Sequence, residues 1–234
     1  EVKENELGAF LQSRLMQEEW IGFSLTMPLK EQVCVLAKSL EIQIDERSTR
    51  IASANTLFRD GKQWRATSTD ITGFEFLLHQ KKIAQVAILG AGGTARAAIE
   101  SLPRDTEEIV VYRRNQRKDI ELMRALSDRA LVFRDWSDIA SAWKASMVIN
   151  TVPISACQEI EETFRPPKIF VDALYSPWLP PLSKRALNSS SELISGIDLL
   201  CAQALGQIRL MTGINFDVMQ MFEHLKHTAL QAVS

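Results

Sequence analysis

The chain has 234 residues, with 27 lysines and arginines against 29 aspartates and glutamates and a formal net charge of -2. That length accommodates one large or two modest domains, and a balanced charge offers no basic field for nucleic acid or for an anionic membrane surface, so a small-molecule partner is expected. Cys34, Cys157 and Cys201 have neither disulfide-framework nor zinc-site spacing, and His79, His224 and His227 gather no ligand cluster; with no membrane-length apolar run and no signal-peptide pattern, a cytoplasmic protein without a metal is expected.

The first predicted elements are a helix around residues 6–17, a strand GFSLTM (22–27) and a helix over 30–40. Lys30 falls on the first turn of that helix, after Pro28, where the positive end of the helix dipole favours acids and a lysine is an odd structural choice. In RIASANTLFRDGKQWRATSTD (50–70), Asp60-Gly61 between two alternating segments signals a hairpin. The outer ends of a hairpin are neighbours, so Asn55 and Asp70 can face one point in space.

From residue 82 onward, β-branched runs alternate with helical stretches: VAILG (86–90), EIVVYR (108–113), ALVF (130–133), MVINT (147–151), KIFVDAL (168–174) and ELIS (192–195). Such alternation reads as βαβ units building a parallel sheet covered on both faces. Beyond residue 196, IDLLCAQALGQIRLMTG and FDVMQMFEHLKHTALQAV are amphipathic helices, free to pack back across a cleft. The expected fold is therefore α/β in two domains: an N-terminal mixed-sheet α/β domain, and a Rossmann-like doubly wound domain with a parallel sheet. The expected division assigns residues 1–78, completed by the C-terminal helices over about 205–234, to the first domain and 79–204 to the second.

LGAGGTARAA (89–98) has the strand, glycine turn and helix of a dinucleotide phosphate loop. Gly90 makes the tight turn, Gly92 lets the backbone approach the phosphates and Ala95 takes the third, close-packing position of the G-x-G-x-x-G/A pattern. The phosphates would rest on the amides of the helix that begins near Gly93, with Ala91 and Thr94 beside them. A plain structural turn is the alternative for these glycines taken alone. The second strand then ends in YRRNQRK, without the acid that holds a ribose 2′-hydroxyl in NAD sites. Arg113, Arg114, Arg117 and Lys118 stand there instead, and a guanidinium fork suits an adenosine 2′-phosphate, so NADP(H) is the expected cofactor.

SLTMPLK (24–30), ANTLFR (54–59), TSTDITGF (67–74), LGAGGTARAA (89–98), VINTVP (148–153), VDALYSPWLPPL (171–182) and GIDLLCAQA (196–204) together resemble shikimate dehydrogenase, in the branch with a G-F-S-x-T-M-P substrate motif. The resemblance implies reduction of 3-dehydroshikimate to shikimate with NADPH, on the route to chorismate and the aromatic amino acids, by a monomer or homodimer. Position by position it implies a catalytic pair in Lys30 and Asp70, and substrate contacts from Thr26, Asn55, Tyr175 and Gln203. It also implies cofactor contacts from Gly90, Ala91, Gly92, Gly93, Thr94 and Ala95, a 2′-phosphate clamp in Arg113 or Arg114, and a nicotinamide side lined by Thr151, Val152 and Gly196. Ser24 stands where the wider family has Asn. The family's opening β-α-β stretch with its carboxylate-binding S-x-S motif is missing before Phe23, and a sheet without those strands would expose a long edge, so a fragment or a trimmed chain is expected. An NAD-preferring quinate/shikimate dehydrogenase and a catalytically impaired NADP-binding relative are the alternatives.

Overall fold

The computed structural model describes residues 2–124 and 131–233. Helix α1 (Leu7–Arg14), strand β1 (Gly22–Ser24) and helix α2 (Leu29–Leu36) come first, followed by β2 (Gln43–Ile44), α3 (Glu46–Ile51), β3 (Thr56–Asp60), β4 (Gln63–Thr67) and α4 (Thr69–Leu78). The four strands lie in the order β1-β3-β4-β2, with β2 parallel to β4 and the other pairs antiparallel. Asp60 pairs with Gln63 across the turn, and Gly61 adopts φ +61°, which glycine tolerates because it has no Cβ. On one face Leu57, Trp64 and Ala66 pack against Leu7 and Leu11 of α1 and Val33 of α2.

Helix α3 matters because its exit delivers the chain to Asn55. Asp45 caps its start, accepting from the Ser48 N–H at 3.0 Å and from the Ser48 hydroxyl at 2.6 Å, and Ala52 ends it in the left-handed conformation at φ +48°. Desolvation works against the Asp45 charge, but hydrogen bonds from Ser48, Thr67 and the Arg47 backbone together outweigh it and hold the carboxyl below its ordinary range. A depressed carboxyl stabilises the fold while ionised, and that contribution fades as pH falls through the folded value. Asp45→Ala should therefore cost about 1 kcal/mol at neutral pH, with a smaller difference from wild type in acid. Denaturant unfolding of both proteins at the two pH values checks this.

The rest of the chain forms β5 (Gln85–Leu89), α5 (Gly93–Ser101), β6 (Glu108–Arg113), α6 (Asp119–Arg124), β7 (Leu131–Asp135), a 3₁₀ segment Trp136–Lys144, β8 (Met147–Asn150), α7 (Ile154–Ile160), β9 (Ile169–Asp172), α8 (Pro181–Leu187), β10 (Glu192–Ile194), α9 (Gly196–Thr212) and α10 (Val218–Val233). Its strands are all parallel, in the order β10-β9-β8-β5-β6-β7. Ile88, Val111, Ile149 and Val171 face one apolar core, whereas Ala87, Leu89, Val148 and Phe170 face another, as a doubly wound sheet requires. The strand order reverses between β5 and β8, and ligands of such sheets sit at the carboxyl ends beside that reversal.

The mixed sheet, the parallel sheet and the long C-terminal helices are those expected from the sequence. Strand β2, only Gln43–Ile44, is too short to carry an alternating pattern and was not anticipated. The second helix stops at Leu36 rather than at residue 40, and of the expected strand at 130–133, residue 130 lies outside the described residues. Ile51, Ile71, Phe74 and Leu78 from α3 and α4 share one core with Ala95, Ala98 and Ile99 of α5. The glycine-loop helix is thereby packed onto α4, which carries Asp70, and onto α3, which leads to Asn55. No helix among the described residues is long and apolar enough to cross a membrane.

Candidate active site

Lys30 on α2, Asp70 on α4, Asn55 just before β3 and Gln203 within α9 converge on one cluster. The Lys30 ammonium donates to Asp70 Oδ2 at 2.6 Å. Asn55 Nδ2 donates to Asp70 Oδ1 at 2.9 Å and to Gln203 Oε1 at 3.0 Å, while its Oδ1 accepts the Thr69 N–H at 2.7 Å and the hydroxyl of Thr56 at 3.0 Å. Gln203 Nε2 is spent on the Leu200 carbonyl at 2.8 Å. Asn55, Asp70 and Gln203 are buried, whereas the Lys30 side chain keeps 18% of its surface exposed. The ammonium is thus the reachable end of a network whose other members are locked by hydrogen bonds.

Two glycines make this convergence possible. A Cβ at Gly73 would come within 3.0 Å of the Gln203 backbone nitrogen, and one at Gly206 within 2.9 Å of Thr69 Cγ2, so α4 and α9 approach closely only because both are glycine. One turn beyond Gln203, Gln207 Nε2 donates to Ser24 Oγ at 3.0 Å and to Thr56 Oγ1 at 3.2 Å. Sequence reasoning passed over Gln207, although two glutamines four apart share one helix face and a polar face on an otherwise apolar helix is a readable signal. Thr26 and Tyr175 are exposed, and their side chains make no hydrogen bond to the cluster among the described residues.

The glycine loop fits a pyrophosphate. Gly90 sits at φ +107°, and a Cβ there would lie 2.6 Å from Thr151 Oγ1 and 3.2 Å from Val152 Cγ1. That packing explains why Thr151 and Val152 border the loop; the Thr151 hydroxyl is itself fixed on the Leu89 carbonyl at 2.7 Å. Gly92 precedes α5 without any side-chain cap, and a Cβ there would meet nothing within 4 Å. The first amides of α5 are thus left for an anion. Ala91, Gly93 and Thr94 are half-buried around this opening, and Ala95 is fully buried, as its packing position demands. A Cβ at Gly93 would lie 2.5 Å from Ser53 Oγ, so the loop touches the segment leading to Asn55. Gly196 likewise abuts the Leu174 carbonyl and the Tyr175 nitrogen, with no room for a side chain.

Arg96, unremarked in the sequence, ties the two halves together. Its buried guanidinium donates to the Ile51 carbonyl at 2.6 Å and to Glu31, the neighbour of Lys30, at 2.7 Å. Glu100 on the same helix accepts from Arg47 at 3.1 Å and from Arg50 at 3.3 Å.

The basic residues after β6 divide into two kinds. Arg113 is buried, forked onto both oxygens of Asp119 at 2.9 Å and bonded to Asp135 at 2.8 Å, with its guanidinium over Phe133. Arg114 is half exposed, stacked 5.1 Å from the Trp136 ring centroid and paired with exposed Glu159 at 2.7 Å. Arg117 is exposed and makes no ion pair among the described residues. Burial pushes the thiols of Cys34, Cys157 and Cys201 up to about 11, so they are protonated near neutrality and unsuited to act as nucleophiles.

A glycine loop at the switch point of a parallel sheet, together with a lysine–carboxylate pair on helices α2 and α4 of the mixed-sheet half, defines a two-domain α/β oxidoreductase of the nicotinamide-dinucleotide class. No protein-family model matches the chain. It is 30% identical over 207 residues to shikimate dehydrogenase (NADP(+)) of Maridesulfovibrio salexigens, covering 84% of this chain and 73% of that protein. The Synechocystis protein of the same name is 29% identical over 231 residues, covering 89% and 78%. The crystal structure of Mycobacterium tuberculosis shikimate dehydrogenase superposes with a TM-score of 0.80 at 29% identity, covering 100% of this chain and 85% of that one. The chain belongs to the shikimate dehydrogenase family.

Proposed function

We propose that this protein reduces 3-dehydroshikimate to shikimate with NADPH. The Lys30–Asp70 pair, 2.6 Å apart and backed by Asn55 and Gln203, is the observation that carries the reading. Residues 1–78 with the C-terminal helices form the substrate domain in this reading, and residues 79–204 the cofactor domain.

NADPH, when bound along the glycine loop, supplies the hydride. The ketone oxygen gains negative charge as the carbonyl is reduced and needs a donor within hydrogen-bond reach. Lys30 is the partly exposed donor: its ammonium gives that oxygen a proton and is recharged from water. Asp70 holds the ammonium in place and accepts from an adjacent substrate hydroxyl. Asn55, its amide orientation set by the Thr69 N–H, donates both Nδ2 hydrogens within the cluster, and reaches the same ring by turning the one held by Gln203 to a substrate hydroxyl. Thr26 and Tyr175 supply exposed polar groups for the substrate's remaining edges. Gly90, Ala91, Gly92, Gly93, Thr94 and Ala95 cradle the pyrophosphate, and Thr151, Val152 and Gly196 border the nicotinamide.

In this arrangement Arg114, with Arg117 beside it, meets the adenosine 2′-phosphate, and Arg113 braces the loop that carries them. Turnover is tested by mixing the protein with 3-dehydroshikimate and either NADPH or NADH and following loss of the reduced nicotinamide. The expected result is oxidation of NADPH that needs 3-dehydroshikimate and outpaces that of NADH. Tight NADPH binding without turnover would instead make the protein a cofactor-binding relative.

A further inference from the structure

Two buried polar side chains end neighbouring strands and take no part in the chemistry above. Asn150 closes β8, Asp172 closes β9, and the two are register partners in the parallel sheet. Both are fully buried, at 0% exposure. A carboxyl group in that position is costly unless it is fully hydrogen-bonded. Asp172 meets the requirement with three donors: the Ser183 hydroxyl at 2.6 Å on one oxygen, and Asn150 Nδ2 at 2.9 Å with the Leu174 N–H at 3.1 Å on the other. Asn150 Oδ1 in turn accepts the Val152 N–H at 3.3 Å. Desolvation pushes the Asp172 carboxyl up from its ordinary value and these donors pull against it. In either protonation state the oxygen facing Asn150 and Leu174 remains an acceptor.

The backbone groups held this way belong to two different functional loops. Val152 packs against Gly90 of the phosphate loop, and Leu174 precedes Tyr175 and is pressed against Gly196 at the start of α9. One amide–carboxyl pair therefore references the loop on the cofactor side and the loop on the substrate side to the same point. Ser183, on α8, is the third member; its hydroxyl donates to Asp172 Oδ2, whereas Asn150 and Leu174 donate to Oδ1.

We infer that Asn150, Asp172 and Ser183 form a positioning device that couples the 151–153 loop to the 173–176 loop and so sets nicotinamide and substrate ring in register. The inference rests on the dehydrogenase reading for its consequence, but the coupling exists in the free protein and is measurable there.

Hydrogen–deuterium exchange of the ligand-free protein is the first arm. In Ser183→Ala and Asp172→Leu, backbone amides over 150–152 and 172–176 should both exchange about tenfold faster, the consequence of weakening one hydrogen-bonded node. The rest of the parallel sheet should keep its protection. Asp172→Asn should resemble wild type, because its oxygen still accepts from Asn150 and Leu174 while its amide can donate to the Ser183 hydroxyl. Kinetics is the second arm. The same two variants should lose about 10- to 100-fold in kcat, as misplaced reactants do, with the Kd for NADPH nearly unchanged and a larger isotope effect from 4-deuterated NADPH. Asp172→Asn should restore turnover.

Faster exchange in only one of the two loops, or throughout the sheet, would overturn the coupling. So would an equal loss of kcat and NADPH affinity, or unchanged kcat in Ser183→Ala. Absence of turnover in the wild-type protein would defeat the dehydrogenase reading instead, and the exchange arm would still decide whether the loops are coupled. Ser183→Ala keeps the test open if Asp172→Leu fails to fold.

Discussion

Lys30→Ala is expected to lower kcat by about 10²–10⁴, the usual worth of a positioned proton donor, while KM for the keto acid stays within a few-fold. Lys30 is the only partly exposed member of its cluster, with Asp70 as its partner at 2.6 Å. The substrate's hydroxyls are assigned to Asn55 and Asp70, so binding should outlast the loss of the ammonium, and the defect should fall on the step in which the carbonyl oxygen becomes charged. Asp70→Asn separates position from charge: the single amide oxygen left at that position would accept from only one of Asn55 and Lys30 at full strength, so kcat should fall by less than in Lys30→Ala. Steady-state kinetics of the two variants, with thermal unfolding as the control for folding, checks both. Near-normal turnover in Lys30→Ala would return this lysine to the status of an ordinary helix residue.

The second large effect concerns cofactor choice. Arg114→Ala should weaken NADPH by at least about tenfold and leave NADH nearly unaffected, since a charge-assisted hydrogen bond is worth roughly 1.5–3 kcal/mol and each 1.4 kcal/mol is a factor of ten. Arg114 is exposed, and among the described residues Glu159 and the Trp136 ring hold it, so its guanidinium can turn to a phosphate at little cost. Arg113→Ala should behave differently. Three hydrogen bonds to Asp119 and Asp135 are lost with it, so stability should fall, and the affinities for NADPH and NADH should change together. Titration of both nucleotides against both variants measures the contrast. A selective loss of NADPH in Arg113→Ala and not in Arg114→Ala would exchange the two roles.

Local patterns carried much of this molecule. The alternation of apolar runs with helical stretches, Asp60-Gly61 and the glycine cluster at 90–93 are read by residues a few positions apart, and the sheets they announced are present. The seven motif blocks pointed to the family that the comparisons establish. The meeting of Asn55 with Asp70 was also legible, because hairpin geometry alone makes the two ends neighbours, and they stand 2.9 Å apart. For Gln203, resemblance supplied a role, but the contact itself spans 148 positions and depends on how α9 crosses α4.

Sequence by itself determined the kinds of element, the loop that suits a pyrophosphate and the residue types that suit carbonyl reduction, because each depends on chemistry carried within a short segment. Tertiary structure alone decided which of two adjacent arginines is buried: Arg113 turns inward because Asp119 and Asp135 flank it, and Asp135 arrives from a neighbouring strand. It alone showed Arg96 joining α5 to the end of α3, and Asp172 meeting Asn150 across the sheet and Ser183 from α8. A buried charge is stable only where distant elements bring it partners, and strand order and helix crossing, which arise from the packing of the whole chain, determine which partners those are.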